Sequence, residues 1–202
     1  MRSFFNTLPA LPVVVVALAG IASAVSLEQR TPAPELNQLQ ARVTTDPQTC
    51  VEYEKYIGIH DVSGAYYPGC ADITHSCLAL NGTSIWSHSQ CVAAAMCQGT
   101  TSVVYLNQCQ NPNVKEADAI PNLSGAIWAS IVGSCVDDGC PMTQQNFIDF
   151  VYGAMSAANT TQWPTSSANV VTDWWDPILS WTATGTTIPY NNLDDWLHYS
   201  SS

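Results

Sequence analysis

The stretch "WSHSQCVAAAMCQG", Trp86 to Gly99, contains the start signal, the apolar body and the stop signal of an α-helix. Ser87 and Gln90 have the spacing of a capping box. Gly99 stands where a left-handed C-terminal cap belongs. The pattern predicts a helix over residues 88–98, the most clearly marked helix of the chain.

Two of the eight cysteines of the chain lie in this helix. Cys91 and Cys97 would stand about 9 Å apart along its axis, beyond the roughly 7 Å that a disulfide tolerates, so each is predicted to bond elsewhere. Cys135 and Cys140 could close a small loop together or tie their flanking helices to other segments. An even number of cysteines in an exported chain predicts four disulfides rather than a zinc site, and no Cys-x2-Cys pair is present. The cysteines are Cys50, Cys70, Cys77, Cys91, Cys97, Cys109, Cys135 and Cys140.

The first residues predict export. Arg2 precedes an apolar run, Leu11–Ala24, that is too short and interrupted to span a bilayer and ends in the small-x-small pattern of a signal-peptidase site. Residues 1–24 are therefore predicted to be a signal peptide and the protein to be secreted. Further trimming after Arg30 is a second, weaker cleavage pattern.

Charge and length limit the binding partners and the domain organisation of the rest of the chain. Without residues 1–24, 16 carboxylates face 4 Lys/Arg, a formal net charge of −12. Such a surface repels nucleic acid and anionic lipid, and no membrane span is predicted. Residues 25–45 are predicted to be a flexible entry segment with a short helix, and residues 46–202 a single disulfide-tied helical domain.

The sequence also predicts the secondary structure of the other segments. Residues 50–68 remain open between helix and loop, whereas the β-branched residues 100–109 predict a strand or an extended link. The helix after Thr143 is apolar nearly all round and is predicted to be central and buried. The chain is thus predicted to be mainly α, a disulfide-stabilised helical bundle with extended loops and room for a short strand pair. The further helices are predicted from near Asp72 to Asn81, over Leu123–Val132, after an N-cap at Thr143, and after an N-cap at Asn192 three residues before Asp195.

Three sequons mark surface turns that a eukaryotic secretory pathway would glycosylate. They begin at Asn81, Asn122 and Asn159.

The stretch "VVTDWWDPILSW", residues 170–181, supports three interpretations. Trp174, Ile178 and Trp181 share a helical face, as in a buried core seam, or the tryptophans form an exposed surface on which sugar rings stack. In the third interpretation, Asp173 and Asp176 act as paired catalytic acids, because two carboxyl groups about 5–9.5 Å apart can hydrolyse a glycosidic bond. Asp176 before Pro177 is equally well explained as a helix N-cap. The candidate sugar-binding set is Trp163, Trp174, Trp175, Trp181 and Trp196.

The remaining polar motifs favour structural roles. Asp194-Asp195 suits the first turn of a helix, where acids are favoured, and Asp137-Asp138-Gly139 offers fewer oxygens than calcium requires. The histidines His60, His75, His88 and His198 form no His-Glu-x-x-His motif, and no Gly-x-Ser-x-Gly occurs. No metal and no cofactor is predicted.

In its export signal, its "SLEQR" pre-segment, its scarce lysine and its eight cysteines, the chain resembles the small secreted cysteine-rich proteins of filamentous fungi. Hydrophobins also carry eight cysteines, but they include two Cys-Cys doublets that this sequence lacks. The eight-cysteine haem-capturing fungal domain spaces its cysteines more tightly than Cys50 to Cys70 or Cys109 to Cys135 allows.

These observations predict a secreted glycoprotein that acts by binding glycans or a cell-wall surface rather than as an enzyme. One alternative is an acid-active glycoside hydrolase that uses Asp173 and Asp176. The other is an extracellular lipid carrier with a cavity lined by Phe147, Phe150 and Met155.

Overall fold

A computed structural model describes residues 46–59 and 64–202. The predicted signal peptide 1–24, the entry segment 25–45 with its short helix, and the pair His60 and Asp61 lie outside the described residues.

The described chain is built of helices joined by turns and longer loops, which confirms the predicted fold class. In place of the predicted strand pair, the described residues contain two isolated bridges, Ile59 with Tyr66 and Met142 with Ile188. Short 3₁₀ segments occur at Ile85–Ser87, Ala117–Ala119 and Gly133–Asp138. A π-helical turn occurs at Val171–Trp175. The helices are α1 (Pro47–Lys55), α2 (Pro68–Leu78), α3 (Ser89–Gln98), α4 (Thr100–Gln110), α5 (Gly125–Val132), α6 (Gln144–Ala157), α7 (Ser167–Val170), α8 (Asp176–Thr182) and α9 (Tyr190–Tyr199).

Helix α3 lies at the centre of the core. Every residue from Cys91 to Cys97 is buried, because α2, α4 and α6 all pack against this helix. The predicted helix is confirmed, but its capping box is wrong. Ser87 belongs to a 3₁₀ turn that buries Ile85 and Trp86, so α3 begins at Ser89 after an N-cap residue whose side chain makes no capping hydrogen bond.

Helix α4 replaces the strand or extended link predicted for residues 100–109. Its β-branched residues are weak helix formers, but Val103 and Val104 are buried against the core, and packing of this kind overrides local preference. Gly99 allows the sharp turn from α3 into α4, since its φ is 95° and a Cβ there would stand 2.6 Å from the carbonyl carbon of Ser202.

Helix α6 buries one face, not its whole circumference as predicted. Phe147, Val151 and Met155 are buried, whereas Asp149 and Gly153 are exposed. The predicted cap is confirmed: the Thr143 hydroxyl accepts from the Asn146 N–H at 3.2 Å, and the Asn146 side chain accepts from the Thr143 N–H at 3.0 Å.

Two other helices begin earlier than predicted. Helix α2 begins at Pro68 rather than near Asp72, because proline is well suited to the first helical position. Helix α9 begins at Tyr190 after Pro189, so Asn192 lies inside its first turn and is not the cap.

All eight cysteines are paired in disulfides. Cys91 and Cys97 each bond outside their own helix, as predicted, and both bonds tie α3 to α2. Cys135 and Cys140 close their own small loop, which was one of the two alternatives. The pairs are Cys50–Cys109, Cys70–Cys97, Cys77–Cys91 and Cys135–Cys140.

Over the described ranges, every helix is either too short or too polar to cross a bilayer.

Candidate functional site

The five tryptophans of the C-terminal third fall into two groups. Trp174 and Trp175 are 1% exposed and Trp196 is 3% exposed, so these three belong to the core. Trp163 and Trp181 are each 45% exposed. Of the candidate sugar-binding set, these two are the residues whose indole rings a ligand can reach.

A nearly continuous helical segment, residues 167–182, positions Asp173 and Trp181. The hydroxyl of Ser166 caps its start by accepting from the Ala168 N–H at 3.1 Å. This segment combines α7, the π-helical turn and α8, so the side chains of its inner face enter the core while others border the surface.

The predicted N-cap at Asp176 is wrong, because the helix runs through this residue. Trp175 and Asp176 both have helical backbone angles, and Pro177 follows them inside the segment. Pro177 has no N–H to give to the carbonyl of Asp173, four residues earlier. The π-helical turn just before the proline accommodates this missing bond, and turns of this kind are frequent at functional sites.

Asp173 and Trp181 border a cleft of about 240 Å³, which we call the Trp181 cleft. Its other walls come from the junction of α3 with α4, including Met96 and Gly99, and from Trp196. Asp173 is the one ionisable side chain among the described residues that line it. The cleft therefore combines apolar and aromatic walls with a single carboxylate.

The carboxylate of Asp173 is held by Tyr67, whose hydroxyl donates a hydrogen bond to Oδ2. The Tyr67 ring also packs edge-on against Trp174, with ring centroids 5.2 Å apart. Burial first, and then the hydrogen bond and the charge of Asp173, raise the pKa of Tyr67 from 10.0 to about 12. The phenol therefore acts as the donor and the carboxylate as the acceptor over the neutral pH range.

The indole N–H of Trp174 is a buried donor. Trp174 lines the Trp181 cleft, and its Nε1 has no hydrogen-bond partner within the described part of the chain. Buried donors are satisfied in the large majority of cases, so an unpaired one beside a cleft calls for an explanation.

A second cleft of about 190 Å³, the Trp163 cleft, lies beside the first. Trp163 and Pro164, from the link between α6 and α7, form one side of it, and Tyr66 and Tyr67 form another. The Trp163 ring stacks on Tyr152, with ring centroids 5.8 Å apart and planes inclined by 21°. This contact supports the half-exposed indole from behind.

The two carboxylates of the hydrolase alternative occupy different surroundings. Asp173 is half-buried in the Trp181 cleft, whereas Asp176 is exposed and is not among the residues lining either cleft. Glycoside hydrolysis needs both groups on one substrate bond. The geometry brings one of them to the cleft.

The three apolar residues of the lipid-carrier alternative are also separated. Phe147 and Met155 are fully buried in the core. Phe150 lines a surface cleft of about 410 Å³ together with Gln90, Asn146 and Asp149. That cleft is partly polar and open, unlike a lipid cavity.

The acids of α9 differ from each other. Asp195 is exposed, but Asp194 is buried and accepts a hydrogen bond from the Leu123 N–H at 2.7 Å. His198 is also buried, and its Nδ1 and Nε2 lie 2.6 Å and 2.9 Å from the carbonyl oxygens of Asp194 and Ile120. This Asp194–His198 cluster ties α9 to the segment before α5.

Nearby, the hydroxyl of Tyr190 donates to the Leu123 carbonyl at 2.6 Å. Burial, followed by the charge of Asp194, raises the pKa of Tyr190.

The other polar motifs do not converge on a site. Asp72 accepts a hydrogen bond from Thr160 at 2.9 Å, His75 is exposed, and His88 is the N-cap residue of α3. Asp137 is exposed in the loop that Cys135 and Cys140 close, and the side chain of Asp138 lies outside the described residues. Within the described ranges, no three His, Cys, Asp or Glu side chains come together as a metal site.

The three sequon asparagines, Asn81, Asn122 and Asn159, are all exposed. Asn81 and Asn159 adopt left-handed φ angles of 49° and 56° just after a helix. Asn81 and Asn159 therefore stand at surface turns, as predicted, whereas Asn122 lies in the loop before α5.

Comparison of the chain with protein-family models, with curated proteins and with solved structures finds no match.

Proposed function

We propose that this chain is an extracellular, N-glycosylated protein that binds glycans through the Trp181 cleft. The observation that carries the proposal is the half-exposed indole of Trp181 beside an apolar cleft that holds one carboxylate, Asp173.

The chemistry of the cleft suits a sugar ring. Sugars present apolar C–H faces that stack on indole rings, and their hydroxyls donate hydrogen bonds to carboxylates. Trp181 supplies the ring, and Asp173, held in place by Tyr67, supplies the acceptor. A volume of about 240 Å³ lies below the roughly 300 Å³ at which typical ligand pockets begin, so the cleft accommodates one ring rather than a large ligand.

A glycan array and calorimetric titration of the purified protein test this proposal. Trp181→Ala is expected to weaken binding by about tenfold or more, the loss of roughly 1.4 kcal/mol, because it removes the stacking surface. Trp181→Phe keeps an aromatic face and is expected to retain part of the affinity.

Tyr199→Ala is the matched control, since Tyr199 is 65% exposed and lines neither cleft. Unchanged binding by Trp181→Ala, or the absence of any bound glycan on the array, contradicts the proposal.

The proposed extracellular location is supported by the four disulfides and the exposed sequons. Expression of the whole chain in a eukaryotic host is expected to release a protein that begins after residue 24 or after Arg30. Its mass should fall when N-linked glycans are removed enzymatically. Retention inside the cell with an unprocessed N-terminus contradicts this part of the proposal.

A further inference from the structure

The Trp163 and Trp181 clefts share one face of a single helical segment. Asn169 lines the Trp163 cleft, while Asp173, Pro177 and Trp181 line the Trp181 cleft. These four residues follow one another at intervals of four, the spacing that keeps side chains on one side of a helix.

Tyr67 connects the two linings. It lines the Trp163 cleft, and its hydroxyl binds Asp173 in the Trp181 cleft. The two clefts therefore adjoin at the Tyr67–Asp173 hydrogen bond.

The combined surface is too long for one sugar ring. Asn169 and Trp181 are twelve residues apart, which corresponds to about 18 Å along a helix. One half-exposed tryptophan lines each cleft, Trp163 in one and Trp181 in the other. A ligand that fills both clefts is therefore an extended chain.

The charge of this surface indicates which class of polysaccharide it would bind. No Lys, Arg or His occurs among the described residues that line either cleft. By sequence, residues 46–59 and 64–202 hold thirteen Asp or Glu residues and two lysines. Such a field repels uronate or sulfated chains and attracts cationic ones.

The carboxylate of Asp173 suits an amino sugar. Asp173 gives Oδ2 to Tyr67 and keeps further acceptor sites, as a carboxylate has about four. An ammonium group beside an aromatic face also gains cation–π energy.

We propose that the two clefts form one groove that binds a linear, cationic amino-sugar chain such as a glucosamine oligomer, with rings on Trp163 and Trp181 and an ammonium group at Asp173. This inference rests on the proposed glycan-binding function and specifies its ligand class.

The test titrates the secreted protein with glucosamine oligomers from the disaccharide to the hexasaccharide, with the matching N-acetylglucosamine oligomers, and with oligogalacturonate, at mildly acidic pH. Affinity for the glucosamine series is expected to rise with chain length and to fall as salt is added. The N-acetylated series should bind more weakly at each length, and oligogalacturonate should not bind.

Three variants assign the contacts. Trp163→Ala is expected to remove the gain in affinity with chain length, and Trp163→Phe to restore part of that gain. Asp173→Asn preserves shape and the acceptor for Tyr67, and is expected to reduce the preference for free amines at least threefold. Asp176→Asn, the matched control, removes the same charge from a residue outside both linings and is expected to leave the preference unchanged.

Failure of this inference is separable from failure of the proposed function. Binding that depends on Trp181 but is independent of chain length, of Trp163 or of ligand charge overturns the two-cleft groove and leaves glycan binding intact. Binding of none of the three series, with no glycan retained on the array, overturns both. Circular dichroism of each variant verifies that it is folded.

Discussion

Different interactions stabilise the helices of residues 50–109 and those of residues 141–202. The first region carries three disulfides that join α1 to α4 and α2 to α3. The second contains no cysteine and instead holds five of the seven tryptophans and the Asp194–His198 cluster. One region is closed covalently, and the other depends on packing and on buried hydrogen bonds.

The difference matters because the candidate groove lies where the two regions meet. Tyr67 and the α3–α4 junction come from the cross-linked region, whereas Trp163, Asp173 and Trp181 come from the region without cysteines. Disulfides stabilise mainly by restricting the unfolded chain, and in this region they add to the packing of the buried helix α3. The groove thus has one covalently fixed wall and one wall whose position depends on the fit of buried indoles.

The largest effect is expected from Trp175→Ala in the region without cysteines. Trp175 is fully buried and packs on Phe147 with ring centroids 5.3 Å apart, so its removal should lower the free energy of unfolding by about 3–5 kcal/mol. Trp181→Ala, at a half-exposed position in the same segment, should cost less than about 1 kcal/mol. Denaturant unfolding of both variants measures the two losses in the free energy of unfolding. Equal losses would contradict the distinction between a buried and a half-exposed indole.

The stabilisation by each disulfide should depend on the length of the loop that it closes. Replacing Cys50 and Cys109 by alanine opens a link between residues 59 positions apart and should cost about 4 kcal/mol. Replacing Cys135 and Cys140, 5 positions apart, should cost about 2 kcal/mol. Unfolding curves of the two double variants test this order, and a larger loss for the short loop would contradict it.

The sequence predicted well the features that depend on neighbouring residues. The apolar run and Gly99 located α3, and the Thr143 cap located the start of α6, because capping and periodicity are local properties. The sequence failed at α4, where burial of Val103 and Val104 overrides the β-branched pattern. It also failed at Pro177, where a π-helical turn lets the helix continue.

The candidate site could be predicted only in part, for a related reason. Trp181 and Asp173 were identified from their local pattern, but the exposure that separates Trp181 from Trp174 depends on what packs against each ring. Tyr67 stands 106 residues before Asp173, and its hydrogen bond follows from the tertiary fold. No periodicity or motif in the chain marks a contact at that separation.

The Asp194–His198 cluster offers a smaller test of how the region without cysteines is held. Asp194→Ala leaves the buried N–H of Leu123 without its acceptor and should cost about 2–3 kcal/mol. Asp194→Asn keeps an acceptor oxygen and should recover most of that loss, whereas Asp195→Ala on the exposed side should change little. Thermal unfolding ranks the three, and similar values for Asp194→Ala and Asp195→Ala would exclude the cluster as a stabilising link.

The smallest expected effect comes from the hydrogen bond between Tyr67 and Asp173, which joins the two regions. Its contribution to the free energy of unfolding depends on pH. Because the folded-state pKa of Tyr67 is raised from 10.0 to about 12, folding favours the protonated phenol. The stabilisation is complete below pH 10 and is lost as the pH rises through 12. Tyr67→Phe should therefore reduce the pH dependence of the free energy of unfolding between these values, and the control Tyr199→Phe should not.

Spectroscopic titration of the phenols separates the two causes of this pKa shift. In Asp173→Asn the pKa of Tyr67 should fall, yet stay above its ordinary value, because burial contributes more than the hydrogen bond and the charge of Asp173. A complete return to the ordinary value would mean that the carboxylate alone holds the phenol. Tyr67 would then be exposed once that contact is lost, and the wall between the two clefts would depend on a single hydrogen bond rather than on the packing of Tyr67 against Trp174.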